Sequence, residues 1–373
     1  MRKMNEKKPS STIEIKLSFV IILIVTLVLL IALTVTLFVV MNLNKNDHLG
    51  HGGTGAPPSA GKAQTTTAAS GDIPAGNLGG GPLYPTKESR ESYIPTASAS
   101  VVDISSEITA NNAILVKVTG TELTSTHEKA ADAKIYPASI TKVMTLIVAA
   151  ERITNMDTKL EVTREIAQFA QDNDGSGAGL KVGDKYSVED LMYLIAYKSD
   201  TIASILIAEY IAGSQEAFVA LMNEKAAEIG MTGSHFENCT GLYHAEHYST
   251  CRDIATMMAY ALDNELAYSC LTSFQGRGMT VGGVACTFYA GWYSGRPNQN
   301  NLGFKDNPSL ESVKVLGGKT GYTDESGFTF VTVAQDKNGV RYINVMIGKP
   351  KGQGYNATAF MTDYKKIYNT YAK

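Results

Sequence analysis

From Leu17 to Met41 the chain carries no charge, and its only polar residues are Ser18, Thr26, Thr34 and Thr36. Such a run is long enough to cross a bilayer as one helix, so it is set apart from any globular core. Arg2, Lys3, Lys7, Lys8 and Lys16 precede it and only Lys45 follows closely. That asymmetry predicts residues 1–16 as a cytoplasmic basic segment, 17–41 as a transmembrane anchor, and the remainder outside the cell. The stretch Val40-Met41-Asn42-Leu43-Asn44 offers no Ala-x-Ala-like cleavage site, so the anchor is expected to be retained.

Residues 42–96 are dominated by Gly, Ala, Pro, Ser and Thr, with Gly52-Gly53, Pro57-Pro58, Thr65-Thr66-Thr67 and Gly79-Gly80-Gly81. A segment of this kind buries too little apolar surface to offset its ordering entropy and is expected to be a disordered linker. Residues 97–373 have globular texture, sufficient for one large domain or two interleaved lobes. The formal net charge of −3 and the lack of basic clusters beyond the anchor exclude a nucleic-acid partner from the expectations. Cys239, Cys251, Cys270 and Cys286 lie on the outward side, where disulfides persist. Local pairs, Cys239 with Cys251 and Cys270 with Cys286, stand beside four free thiols as alternatives.

Three short motifs carry chemistry: Ser139-Ile140-Thr141-Lys142, Ser199-Asp200-Thr201 and Lys319-Thr320-Gly321. Pro137 suits a first helical position, and Ile140, Val143, Met144, Ile147 and Val148 form one apolar stripe. Leu146, Ala149 and Ala150 widen it, which predicts a helix buried on most sides with Lys142 off the solvated face. Ser139 and Lys142, three apart, project from one side, a nucleophile and a base. Burial and a second cation, Lys319, are the two effects expected to lower the Lys142 pKa.

Ser187 with Asp190 resembles a capping box, and a helix through Leu191, Leu194 and Ile195 is expected to end near Tyr197. Ser199-Asp200-Thr201 restarts a helix that stops at Gly213, with Ser199 as a cap on a rigid corner. Val313 to Leu316 leads into Gly317-Gly318-Lys319-Thr320-Gly321, and two further alternating runs, Gly327–Val333 and Val340–Met346, flank a turn at Asp336-Lys337-Asn338-Gly339. This is a meander of antiparallel strands. The glycines around Lys319-Thr320 are expected to let an extended peptide approach the sheet edge.

In this order the motifs make the chain resemble the penicillin-recognising serine hydrolases, and more narrowly the low-molecular-mass D-alanyl-D-alanine carboxypeptidases. Leu180-Lys181-Val182-Gly183-Asp184, Ala217–Asn223, Gly230-Met231, Gly241-Leu242 and His247-Tyr248-Ser249-Thr250 extend the likeness over about residues 97–349. The resemblance implies an α+β fold of the DD-peptidase/β-lactamase type, an antiparallel sheet flanked by helices plus an all-helical lobe. It implies catalytic roles for Ser139, Lys142 and Ser199, substrate binding by Lys319, Thr320 and Thr201, and an oxyanion hole from the backbone of Ser139 and Tyr322. The implied partners are a peptidoglycan pentapeptide as substrate, β-lactams as inhibitors and the bacterial cell membrane through the N-terminal helix. No cofactor and no metal are implied.

One departure stands out. The family's second motif ends in asparagine, whereas Thr201 offers a shorter hydroxyl. Thr201 therefore leaves open a catalytically weak wall-binding protein. A class A-like β-lactamase shares the motif order but requires a Glu-x-x-Leu-Asn segment, which is absent. His244-Ala245-Glu246-His247 reads as surface or hydrogen-bonded residues rather than metal ligands. Gly175-Ser176-Gly177-Ala178-Gly179 lacks the Gly-Lys-Ser/Thr of a phosphate loop and is expected to be a mobile loop near the substrate. Phe360, Tyr364, Ile367 and Tyr368 predict a last helix that packs on the sheet.

Overall fold

The computed structural model describes residues 92–272, 277–288, 310–354 and 356–372. The expected anchor, and the linker up to residue 91, lie outside the described residues.

A six-stranded sheet forms the centre of the fold. Its strands are β1 (Thr96–Asp103), β2 (Asn112–Thr119), β3 (Glu122–Lys129), β8 (Val313–Thr323), β9 (Gly327–Asp336) and β10 (Arg341–Ile347), in the order β1-β3-β2-β10-β9-β8. Two short two-stranded ribbons, β4 (Lys159–Glu161) with β5 (Lys185–Ser187) and β6 (Arg277–Val281) with β7 (Val284–Phe288), complete the strand set. The expected meander is β8-β9-β10, all antiparallel. The edge strand β1 differs from the antiparallel expectation: it runs parallel to β3, with a register shift between Ala97 and Val102. Ahead of it Tyr93 is already buried and stacks edge-on against Tyr260, so core contacts begin within the segment expected to be linker.

Eight α-helices follow one another as α1 (Lys142–Arg152), α2 (Arg164–Asp172), α3 (Val188–Lys198), α4 (Thr201–Ala212), α5 (Gln215–Glu228), α6 (Cys251–Leu262), α7 (Glu265–Thr272) and α8 (Ala357–Lys366) among the described residues. The stripe read from the sequence puts α1 at the centre of the helical lobe, in contact with α3, α4, α5 and α7. Ile140, Val143, Met144, Leu146, Ile147 and Val148 are all fully buried there. Helix α6 joins lobe and sheet by packing on β10 and β2. Alternation along β9 accounts for its burial on both faces. Thr332 Oγ1 lies 2.8 Å from Tyr368 Oη and Phe330 stacks on Tyr364, whereas Thr329, one step out of phase, donates to the Pro137 carbonyl on the other side at 3.2 Å. The last helix thus covers the sheet as its aromatic spacing predicts.

No disulfide joins any of the four cysteines, and Cys239, Cys251 and Cys270 are buried. Neither local pair forms. Alkylation of the unfolded, unreduced protein should add four labels; two or none would contradict this arrangement.

Candidate active site

Ser139, the candidate nucleophile, sits on a strained turn. Residues Ala138–Thr141 form a 3-10 turn with Pro137 as its N-cap, and the α-helix begins only at Lys142. Ala138 adopts φ 49, a left-handed conformation unusual for a residue with a Cβ. Two glycines hold this turn from outside. A Cβ at Gly241 would stand 2.0 Å from the Ala138 carbonyl oxygen, and one at Gly321 would stand 2.7 Å from the Ser139 nitrogen. Gly241 also has φ +79. Replacing Gly241 by Ala therefore meets both a backbone collision and a disfavoured φ, and should lower stability by about 1–3 kcal/mol or more, read as a fall in melting temperature.

Lys142 is 1% exposed, and its Nζ lies 3.3 Å from Ser139 Oγ and 2.5 Å from the Thr240 carbonyl oxygen. That carbonyl is set by Asn238, a residue the sequence did not flag. Asn238 Oδ1 accepts from the backbone of Thr240 at 3.1 Å and Gly241 at 2.7 Å, and its Nδ2 donates to the Leu242 carbonyl at 2.9 Å. Burial brings the Lys142 pKa down to about 8, against the opposing pull of Cys239 and Asp200. The repulsion from a second cation, expected at Lys142, is felt at Lys319, whose pKa is pushed far down first by burial and then by Lys142.

Lys319 projects from β8, the edge strand, and is 1% exposed. Its Nζ donates to Ser199 Oγ at 3.0 Å and to the Thr320 carbonyl at 2.8 Å. The glycines beside it have an intramolecular reason to lack side chains. A Cβ at Gly317 would collide with the Leu271 carbonyl at 2.4 Å and one at Gly318 with the Val331 carbonyl at 2.3 Å. Close packing within the domain, rather than access for a peptide, accounts for these two positions.

The second motif is a corner between α3 and α4. Ser187 caps α3, its hydroxyl accepting from the Asp190 N–H at 3.1 Å, and Gly213 ends α4 in a left-handed conformation. Ser199 is the C-cap of α3 at φ 54, while Asp200, not Ser199, is the N-cap of α4 and accepts from the Ala203 N–H at 2.8 Å. Thr201 is buried, with Gly175 against its side chain, and its N–H donates to the Ser176 carbonyl at 2.9 Å. Burial raises the Asp200 pKa, and the N–H groups of Ala203 and Ala178 together with Lys142 pull against that rise.

Ser139, Lys142, Ser199 and Lys319 are thereby brought together, with Thr320 and Gly321 continuing β8 along the nucleophile turn toward the exposed Tyr322. His247 is buried beside this turn. Its Nδ1 accepts from the Glu237 N–H at 3.2 Å, so Nε2 donates to Thr141 Oγ1 at 2.7 Å. Burial lowers its pKa to about 3. With both ring nitrogens engaged, His247 is a neutral prop for the first motif.

The profile of the D-alanyl-D-alanine carboxypeptidase family, peptidase S11, matches residues 96–351. The chain is 31% identical over 267 residues to D-alanyl-D-alanine carboxypeptidase DacF of Bacillus subtilis, covering 70% of this chain and 64% of the relative. It is 32% identical over 224 residues to DacC of Escherichia coli, covering 58% and 52%. The chain thus spans between half and two thirds of the length of these relatives. The DD-transpeptidase of Streptomyces strain K15 shares the fold, with a TM-score of 0.59, 24% identity, and coverage of 70% of this chain and 96% of that one. Penicillin binding protein 5 from Haemophilus influenzae does so with a TM-score of 0.57 at 24% identity, covering 70% of each chain. With the Ser139 turn, both buried lysines and the mixed sheet lying inside the matched residues, the chain belongs to the D-alanyl-D-alanine carboxypeptidase family of serine peptidases.

Proposed function

We propose that this protein is a serine-type D-alanyl-D-alanine carboxypeptidase that removes the terminal D-alanine of peptidoglycan stem peptides through an acyl-enzyme and is inhibited by β-lactams. The observation that carries this reading is the pair of serine–lysine contacts in one buried site, Ser139 with Lys142 and Ser199 with Lys319. Two ammonium groups excluded from water repel each other, so one of them is neutral at moderate pH. A substrate carboxylate at Lys319 and Thr320 favours the charged form of Lys319 and leaves the neutral amine on Lys142.

Neutral Lys142 then accepts the Ser139 hydroxyl proton as Ser139 Oγ bonds to the carbonyl carbon of the penultimate D-alanine. The oxyanion is held by the N–H groups of Ser139 and Tyr322. As the carbon–nitrogen bond breaks, the proton held by Lys142 passes by way of Ser199 to the departing D-alanine nitrogen, which returns Lys142 to its neutral form. Water adds to the ester, Ser139 recovers its proton and the shortened peptide leaves. A β-lactam acylates the same oxygen by opening its ring, and its leaving group stays attached.

In this reading the helix over 17–41 tethers the enzyme to the outer face of the membrane and 42–96 spaces it from the surface. A chain lacking residues 1–44 should move to the soluble fraction and keep its activity. The functional test is release of D-alanine from a pentapeptide ending in D-Ala-D-Ala. Stoichiometric penicillin binding without release of D-alanine would favour the wall-binding alternative that Thr201 raises.

A further inference from the structure

The segment Gly175–Gly179, expected to be mobile, is instead fastened to the second motif at three points. Ala178 N–H donates to Asp200 Oδ2 at 2.6 Å, Thr201 N–H donates to the Ser176 carbonyl at 2.9 Å, and Gly175 lies against the Thr201 side chain. Asp200 is fully buried and serves two masters with two oxygens, since Oδ1 accepts from Ala203 N–H, the N-terminus of α4. Gly177 lies so close that a Cβ there would stand 2.8 Å from Asp200 Oδ2. Neither Gly175 nor Gly177 has positive φ, so it is the closeness of Asp200 and Thr201, not backbone conformation, that requires glycine at these positions.

These contacts decide what the corner presents to a substrate. With the Asp200 carboxylate and the Thr201 side chain both turned to the glycine segment, Ser199 Oγ is the motif's contact with Lys319 across the site. A segment with three glycines in five residues has high conformational entropy when free, and ordering it requires specific partners. We propose that Asp200 is a positioning residue that clamps segment 175–179 onto the Ser199 corner, making it a fixed wall of the peptide-binding cleft opposite β8. This rests on the carboxypeptidase reading for its consequence, but the clamp itself is a property of the fold.

Two variants separate the clamp from helix capping. Asp200→Ser keeps a hydroxyl acceptor for the Ala203 N–H and removes the acceptor for Ala178. Gly177→Ala leaves Asp200 and its cap intact and wedges the segment away. Hydrogen exchange of peptides spanning 173–180 and steady-state kinetics on the D-Ala-D-Ala peptide are measured for both in the full chain. Both variants should raise exchange in this segment, and both should reduce kcat/KM by about 10- to 100-fold with a raised KM. A loss of stability alone would lower the penicillin-reactive fraction and leave the KM of the remainder unchanged. The double variant should be no worse than the worse single variant, because both substitutions break one contact. Unchanged exchange at 173–180 in both single variants overturns the clamp, whether or not the protein hydrolyses peptide. Raised exchange with unchanged KM overturns its role as a cleft wall. Absence of D-alanine release by the wild type would instead count against the carboxypeptidase reading.

Discussion

Replacing Lys142 by methionine should slow acylation of Ser139 by about 10²- to 10⁴-fold, the range for loss of a positioned general base. Methionine keeps most of the buried volume, so the fold should survive, although the Thr240 carbonyl loses its donor. The wild type should show a matching pH dependence. As the proposed base Lys142 would act only without its proton, and burial brings its pKa down to about 8, so the acylation rate should rise with pH and level off above about 8. The methionine variant should lose that limb. A wild-type profile flat from pH 6 to pH 9 would place the base elsewhere. Stopped-flow labelling with a fluorescent penicillin measures both quantities on one reaction.

Lys319→Ala should reduce kcat/KM for the peptide by about 10²- to 10³-fold, the scale for losing a buried charge-assisted contact to a carboxylate. Two effects combine in that loss. The substrate loses its cation, and Ser199 loses the Lys319 Nζ that donates to it at 3.0 Å. A wild-type substrate ending in a carboxamide separates them, because it removes the carboxylate and leaves the protein's own contact intact. The carboxamide peptide should be poor for the wild type, and the Lys319→Ala variant should discriminate little between acid and amide. Equal loss on both substrates in that variant, with strong discrimination preserved, would contradict carboxylate binding at Lys319.

Much of the site was legible because its residues sit on strongly periodic elements. The α1 stripe placed Lys142 in the interior, and the buried neighbours Val143, Leu146 and Ile147 show why that pattern is informative. The features missed are those in which one residue acts on a chain segment distant in sequence. Asn238 shapes the carbonyl of Thr240, and it is Thr240 that lies 98 positions from Lys142. His247 supports Thr141 across 106 positions. Asp200 looked like the second member of a helix-starting motif, yet its second oxygen holds Ala178, a contact no local pattern encodes. Gly317 and Gly318 serve internal packing rather than the peptide access expected of them, since local sequence does not reveal that the carbonyls of Leu271 and Val331 fill the space.

The strand map follows the same division. The β8-β9-β10 meander carries local turn chemistry, with Gly339 at φ 85 between β9 and β10. The ribbon β6-β7 has a comparable local sign, Gly282-Gly283 at φ 57 and 78 between two valines. By contrast, the parallel pairing of β1 with β3 joins residues such as Thr96 and Thr124. Neither strand's own alternation specifies that partner or that direction.

The most direct test of the acyl-transfer assignment is intact-mass spectrometry of the wild type and Ser139→Ala after exposure to penicillin, followed by peptide mapping. The wild type should gain one penicilloyl group located on the peptide containing Ser139, and the variant should gain none and release no D-alanine. An adduct that persists in Ser139→Ala, or one that maps to another residue in the wild type, would contradict the account.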